Sequence, residues 1–259
     1  MKDILEYLLD LYEKSKPLFY RESKVLKHKN LNDVLSEADL RLNEYFYSNI
    51  KNEYPLANII AEESDNLDLT DALTFVIDPL DGTCNYSNGL NLCGIQMAVF
   101  LNKECIISLI GLPYYDEVFY AIKNEGAYKN GNKISVNNTI KASDGILELS
   151  DFYRVNDDIE YDMQFELVKE LQNKFLKIRL FGAACIDFTN LIKNNAQAYI
   201  CYYRYIWDVA PGLLLAKEAG MLYSGINNDY KYGNHSIILA NNMNTLKMII
   251  DEIKRIRVK

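Results

Sequence analysis

The residues best suited to chemistry stand in one short stretch, Leu73-Thr-Phe-Val-Ile-Asp-Pro-Leu-Asp-Gly-Thr-Cys-Asn-Tyr86. Two carboxylates, Asp78 and Asp81, lie three residues apart. Gly82 follows, where backbone approaches a ligand without a Cβ in the way, and then the hydroxyl of Thr83. Paired hard oxygen ligands beside free backbone amides suit a divalent cation and a phosphate bound together. Leu73 to Ile77, five apolar or β-favouring residues, read as the buried strand that carries this group. Asp78-Pro79 is expected to stop that strand, because proline has no N–H to give a ladder.

Other acids stand where elements begin or end. Asn58-Ile-Ile-Ala61 reads as a short strand running into Glu62-Glu63-Ser64. An acidic run such as Glu62 to Asp71 is usually a solvated loop, yet the end of a strand is where open sheets place ligand groups. Ser36-Glu-Ala-Asp39 reads as a helix start, with Leu40, Leu42, Tyr45, Phe46 and Ile50 as its apolar face. On that reading Asp39 is a first-turn acid favoured by the helix dipole. Trp207-Asp208-Val-Ala-Pro-Gly212 precedes the apolar run Leu213 to Ala216. Asp208 there suits a helix N-cap, with Pro211 in the first turn and Trp207 as a staple, which accounts for it without any metal.

The rest of the chain supplies the scaffold. Met1 to Phe19 has the spacing of an amphipathic helix ending near Pro17 to Tyr20, with too many charges for a secretion signal. Lys24 to Asn32 reads as a polar loop. Residues 93 to 137 read as a meander of antiparallel strands (Cys93 to Leu101, Cys105 to Leu112, Glu117 to Ile122), with Asn130-Gly131 as a tight-turn signal. The polar stretch Asn138 to Asp144 divides a single domain, 1–259, into halves of about 1–140 and 141–259. Beyond it come a strand at Ile146 to Leu149, a helix over Asp158 to Phe175, a strand at Ile178 to Phe181 and a helix from Gly182-Ala183-Ala184 through Ile192. Strands at Gln197 to Tyr203 and Ile237 to Ala240 and a basic helix from Thr245 to Val258 close the chain. This alternation points to an α/β layer.

Composition narrows the function. A chain of 259 residues with 49% hydrophobic and 25% charged residues is of ordinary globular composition. A net charge of -8 and a pI near 5.0 argue against a nucleic-acid partner. The longest uncharged apolar run, Cys105 to Tyr115, is too short to span a bilayer as a helix, so no membrane partner and a cytoplasmic location are expected. The five cysteines (Cys84, Cys93, Cys105, Cys185 and Cys201) are scattered and read as reduced thiols, with Cys84 notable for lying in the central turn. The two histidines, His28 and His235, are too isolated to suggest ligands.

Taken together, Ala61-Glu62-Glu63-Ser64, Ile77-Asp-Pro-Leu-Asp-Gly-Thr-Cys-Asn85 and Trp207-Asp-Val-Ala-Pro-Gly212 resemble the inositol monophosphatase family. Val34-Leu-Ser-Glu-Ala-Asp39, Asn124-Glu-Gly-Ala-Tyr128 and Phe181-Gly-Ala-Ala-Cys185 extend the likeness over nearly the whole chain. The resemblance implies an α+β fold, a layered αβαβα sandwich, usually a homodimer. It implies that Glu62, Asp78 and the carbonyl of Leu80 bind one Mg²⁺, that Asp78, Asp81 and Asp208 bind a second, and that Glu62 reaches a third through water. It further implies Glu62 and Thr83 as the groups that orient and deprotonate the attacking water, Asp39 as holder of the Thr83 hydroxyl, and Asp81, Gly82, Thr83, Ala184, Arg204 and Asp208 as substrate contacts. An all-oxygen set without His or Cys independently suits Mg²⁺ better than Zn²⁺, and clustered carboxylates repel unless cations sit among them.

The expected activity is therefore Mg²⁺-dependent hydrolysis of a small sugar or polyol phosphate, nominally inositol monophosphate, with no covalent enzyme intermediate and with inhibition by lithium. Fructose 1,6-bisphosphate and 3′-phosphoadenosine 5′-phosphate are alternative substrates on the same scaffold, and a silent metal- or ligand-binding module is the rival of another class. The chain departs from the resemblance in places. Cys201 stands where inositol-phosphate enzymes of the family often carry Glu, and Pro211 replaces a small residue. Tyr202, Tyr203, Arg204 and Tyr205 make that segment more aromatic and basic, Arg204 either pairing a second phosphate or lying on the surface.

Overall fold

The computed structural model describes residues 1–30, 33–63, 68–152, 158–202, 205–226, 230, 232 and 236–257. The first half runs α1 (Lys2–Phe19), β1 (Val25–Asn30), β2 (Asp33–Ser36), α2 (Glu37–Glu53), β3 (Asn58–Ala61), β4 (Thr74–Asp81) and α3 (Thr83–Ser87). A meander follows: β5 (Gly94–Leu101), β6 (Glu104–Leu112), β7 (Glu117–Ile122), β8 (Gly126–Lys129) and β9 (Asn132–Ile134). Then come β10 (Ile146–Leu149), α4 (Asp158–Leu171), β11 (Lys177–Arg179), α5 (Ala184–Ile192), β12 (Ala198–Tyr202), α6 (Ala210–Ala219), β13 (Leu222–Ser224), β14 (Ser236–Ala240) and α7 (Met243–Arg257). Among the described residues, β3 to β9 form a seven-stranded sheet in sequence order, and a five-stranded sheet has the order β11-β10-β12-β14-β13.

Period-two alternation sorts the strand residues between layers. Phe75, Ile77, Met97 and Val99 pack on the outer helices α1 and α2, through Leu8, Tyr12, Leu42 and Phe46. Their neighbours Val76, Ala98 and Phe100 face the other way, onto α5 and α6. Those helices are also covered from beyond by Tyr199, Cys201, Ile237 and Leu239 of the second sheet. The far face of that sheet, with Leu147, Ile200 and Ile238, packs on α4 and α7. Helices, sheet, helices, sheet and helices follow in turn, which is the αβαβα sandwich expected from the sequence.

Several local readings need correction. Lys24 to Asn32 is not simply a loop: Val25–Asn30 is a strand, paired antiparallel with Asp33–Ser36. Its described side chains are exposed, so no apolar alternation announced it. The central strand does not stop at Asp78-Pro79 but runs to Asp81. Asp78 pairs with Gln96 and Asp81 with Gly94, so β4 carries one extra residue in between. This bulge is where a strand tolerates a proline, since no ladder N–H is needed there. β13 had no clear signal in its three residues, and the strand expected at Ile178 to Phe181 lies instead at Lys177–Arg179. The Asn-Gly reading holds, with both Asn130 and Gly131 at positive φ (47° and 80°) as a two-residue hairpin turn requires.

The middle helix layer is packed without slack. A Cβ placed on Gly212 in α6 would lie 2.1 Å from ring atoms of Phe188 in α5. Overpacking of this kind costs about 1–3 kcal/mol. Gly212→Ala is expected to lose stability in that range in urea denaturation, with an unchanged m-value.

Candidate active site

Strand register explains why the first two acids meet. β3 and β4 are parallel neighbours with Ile60 opposite Val76, both on the face toward α5 and α6. The next residues of the same parity are Glu62 and Asp78, and the Glu62 N–H donates to the Ile77 carbonyl at 3.3 Å, extending the ladder by one step. Like charges placed side by side on a sheet are destabilising. After the bulge, Asp81 returns opposite Gly94. The Leu80 N–H donates to Asp78 Oδ1 at 3.1 Å. Gln96 Nε2 and the Cys185 N–H donate to Asp81 Oδ2 at 3.1 and 2.5 Å.

Gly82 then makes the turn into α3 at φ 82°, and a Cβ there would meet the Leu92 carbonyl at 2.8 Å and Ala183 Cβ at 2.9 Å. Both the left-handed backbone and the space require glycine. Thr83 Oγ1 lies 2.7 Å from Asp39 Oδ1 and 3.0 Å from the Leu80 carbonyl. Both partners are acceptors, so the single hydroxyl proton goes to one of them at a time and the oxygen keeps its lone pairs for another donor. The other Asp39 oxygen, Oδ2, takes the Ser36 N–H at 2.7 Å and the Ser36 hydroxyl at 2.6 Å, closing the cap of α2. The helix-start reading of Asp39 and its tie to Thr83 thus coexist in one carboxylate.

Asp208 does not cap α6, because the N-cap is Val209 and makes no side-chain capping bond. Asp208 instead ends the 3-10 turn Ile206–Asp208, and its Oδ2 accepts the Tyr205 N–H at 3.4 Å. That turn packs against β4 and β5, and the ring of Tyr205 stacks on Trp207 with centroids 4.5 Å apart. Trp207 and Asp78 therefore belong to one region, although 129 positions separate them in the sequence.

Electrostatics report the same convergence. Asp78 is 2% exposed, and burial pushes its carboxyl well above the usual range, helped in order by Glu62, Asp81, Asp208 and Asp39. Asp81 is also raised, by loss of hydration, against the pull of the Cys185 and Ala184 donors at the start of α5. Among the described residues, no three His, Cys, Asp or Glu side chains already grip a common point as a metal site. The carboxylates are instead held by protein N–H donors around Asp78. The chemistry of the set fits a hard divalent cation: the donors are carboxylate and carbonyl oxygens, and the charges bearing most on buried Asp78 are all negative.

The structure accordingly gathers Asp39, Glu62, Asp78, Leu80, Asp81, Gly82, Thr83 and Asp208, with Ala184 presenting its backbone N–H to Asp81. Arg204 lies outside the described residues, as do Ser64, Tyr203 and His235. Cys201 is buried on the inner face of β12 among apolar neighbours. Sequence reasoning missed Gln96, whose signal was a lone polar side chain within the apolar run Gly94–Leu101. It also missed the part of Ser36, which fixes Asp39. Asn85 is a further tie, donating to the Leu92 and Phe181 carbonyls at 2.8 and 2.7 Å.

The model of the inositol monophosphatase family matches residues 4–257. The chain belongs to that family. Inositol-1-monophosphatase of Bacillus subtilis is 27% identical over 227 residues, covering 86% of this chain and 84% of the relative. A Thermotoga maritima protein named fructose-1,6-bisphosphatase/inositol-1-monophosphatase is 25% identical over 236 residues, covering 91% of this chain and 87% of its own. Among solved structures, an IMPase of Thermotoga maritima superposes with a TM-score of 0.86 at 22% identity, covering 98% of each chain. The suhB protein of Bartonella henselae does so with 0.88 at 20% identity, covering 97% of this chain and 98% of that one. As a member of the inositol monophosphatase family the chain is a phosphatase, and the acids around Asp78 form its candidate centre.

The raised Asp78 has a consequence for stability. Folding must either take up a proton there or bury a charge, so the native state holds more protons than the unfolded chain. Stability from this residue is greatest below the unfolded carboxylate range, near pH 4, and is lost as pH rises toward the folded value. In metal-free protein at pH 7, Asp78→Asn is expected to raise the thermal midpoint, and to abolish most of the further rise that Mg²⁺ gives the wild type. Differential scanning fluorimetry with and without Mg²⁺ measures both.

Proposed function

We propose that the chain hydrolyses the phosphate monoester of a small sugar or polyol, nominally inositol monophosphate, with Mg²⁺ held by the acids around Asp78. The observation that carries this reading is a buried carboxylate faced by Glu62, Asp81, Asp208 and Asp39, with a hydroxyl held at the same place. Glu62, Asp78 and the Leu80 carbonyl would hold one ion, and Asp78, Asp81 and Asp208 a second. When bound, the ions supply positive charge to the phosphate oxygens and acidify water.

The protein groups then divide the remaining tasks. With its proton given to Asp39 or to Leu80, Thr83 Oγ1 accepts a hydrogen bond from the attacking water and orients it. Glu62 takes the proton. The Gly82 and Thr83 amides, at the start of α3, hold a phosphate oxygen. Asp208 accepts a hydrogen bond from a substrate hydroxyl. No side chain in the group is a nucleophile in this scheme, so no phosphorylated enzyme forms. A similar solved structure with inositol monophosphate bound favours this class, while one with 2′AMP and an IMPase/NADP phosphatase with Mg²⁺ and phosphate keep nucleotide phosphates in view. The thiol of Cys201 gives a substrate no carboxylate, which is why inositol is the nominal member of the class rather than a fixed choice.

Phosphate release should require Mg²⁺ and be lost on chelation. Glu62→Gln and Thr83→Ala are each expected to lower kcat by about 10²–10⁴-fold, with folding retained by circular dichroism. Undiminished turnover in Glu62→Gln at saturating metal would remove it as the base. A release panel of inositol monophosphate, fructose 1,6-bisphosphate and 3′-phosphoadenosine 5′-phosphate ranks the substrates by kcat/KM.

A further inference from the structure

The middle layer holds a second acidic pair that the proposed reaction does not use. Glu148 on β10 and Tyr199 on β12 are adjacent in parallel register, and both turn toward α5. Asp187 and Asn190 lie one above the other on α5 at i and i+3 spacing. Asn190 Nδ2 donates to Glu148 Oε1 at 2.9 Å, and the Tyr199 hydroxyl donates to Asp187. Glu148 and Asp187 are each 1% exposed. Their remaining oxygens, Glu148 Oε2 and Asp187 Oδ1, are buried and find no hydrogen-bond partner among the described residues. The Glu148 charge bears on Asp187, so two such acceptors are costly as anions, but a proton between carboxyl groups turns one of them into a donor.

Among the described residues, no cation is in contact with the pair. Lys193 at the end of α5 is the nearest, and it is engaged by Glu117 Oε2 at 3.3 Å and lies over Phe119. Arg179, opposite Glu148 on β11, is exposed and turns to the Ile178 carbonyl. The other described groups bearing on the pair are Tyr199 and Cys201 on β12, Asp81 on β4 and Asp151 after β10. Burial pushes Glu148 up to about 8, against Asn190 and Lys193, and Asp187 further above its ordinary range through burial and Glu148.

We propose that Glu148 and Asp187 share one proton as a buried acid pair, and that this pair fixes the first turns of α5 and through them the Asp81 carboxylate. The route is short. The Asp187 N–H donates to Ala183 at 3.2 Å, Ala183 abuts Gly82, and Cys185 in the same turn donates its N–H to Asp81. Glu148 and Asp187 are positioning residues, since neither is placed against substrate. The step is a proton transfer between two carboxyl oxygens, and the proton is taken up from solvent on folding. The activity half of the inference rests on reading Asp81 as part of the active centre.

The test has two arms. In metal-free, substrate-free protein, thermal midpoints are followed from pH 5 to 9.5 for wild type, Glu148→Gln and Asp187→Asn. The wild-type native state keeps a proton that the unfolded chain gives up, so its folding constant falls by up to about tenfold per pH unit between the unfolded carboxylate range and about 8. The amide variants lose this pair's part of the slope and keep that of Asp78, so their curves diverge from wild type across this window and run parallel above it. Parallel curves throughout, in both variants, overturn the shared proton. The second arm follows kcat/KM against pH at saturating Mg²⁺, where wild type is expected to fall above about pH 8 while either variant holds its neutral value further into alkali. Diverging midpoints with superimposed activity profiles overturn the link to Asp81. If no variant and no wild type releases phosphate, the proposed function has failed and the first arm alone decides the acid pair.

Discussion

Repulsion among buried carboxylates is the constraint around which this protein is built. The register of β3 and β4 puts Glu62 and Asp78 on one face of a sheet, and the bulge and the turn Ile206–Asp208 bring Asp81 and Asp208 to the same place. No packing preference favours such a group, because burying an anion without a partner is strongly unfavourable. The rest of the molecule supplies the energy that holds it: two apolar layers close over the seven-stranded sheet, and the pieces bearing the acids are strand ends and helix starts rather than long loops. A centre in which acids crowd a buried carboxylate gains by taking a cation, so the strain of the group and its proposed chemistry have one cause.

The supports around the acids are polar contacts of fixed geometry. Asp81 is held from both sides, by the Gln96 amide in the sheet and by the first N–H groups of α5. Asn85 fastens α3 to the loops before β5 and α5, so the turn at Gly82 is stitched to both neighbours. Cys201, buried among apolar neighbours on the inner face of β12, sets the chain's own character within the family.

Sequence reasoning reached what local chemistry encodes. The Asn130-Gly131 turn, the apolar run of β4 and the Ser36 helix start are properties of a few adjacent residues, and each was legible. The bulge at Pro79 was not, because a bulge is defined by the partner strand: only the pairing of Asp78 with Gln96 and of Asp81 with Gly94 reveals it. An Asp before an apolar helix usually caps it, and the shift of the cap by one residue to Val209 removes that account of Asp208 and leaves its place beside the other acids. Lys24 to Asn30 lacked the alternation that marks half-buried strands. The bond between Asp39 and Thr83 joins residues that no spacing rule connects, and only the resemblance to a family suggested it. The acid pair of Glu148 and Asp187 was invisible for the same reason, each residue looking like an ordinary polar position in its own element.

Asp39 gives one oxygen to the start of a helix and the other to the threonine beside the acids. Selection for a folded chain would keep that carboxylate even where selection for turnover had ceased. Its presence in a distant relative is therefore poor testimony that the relative still reacts with anything.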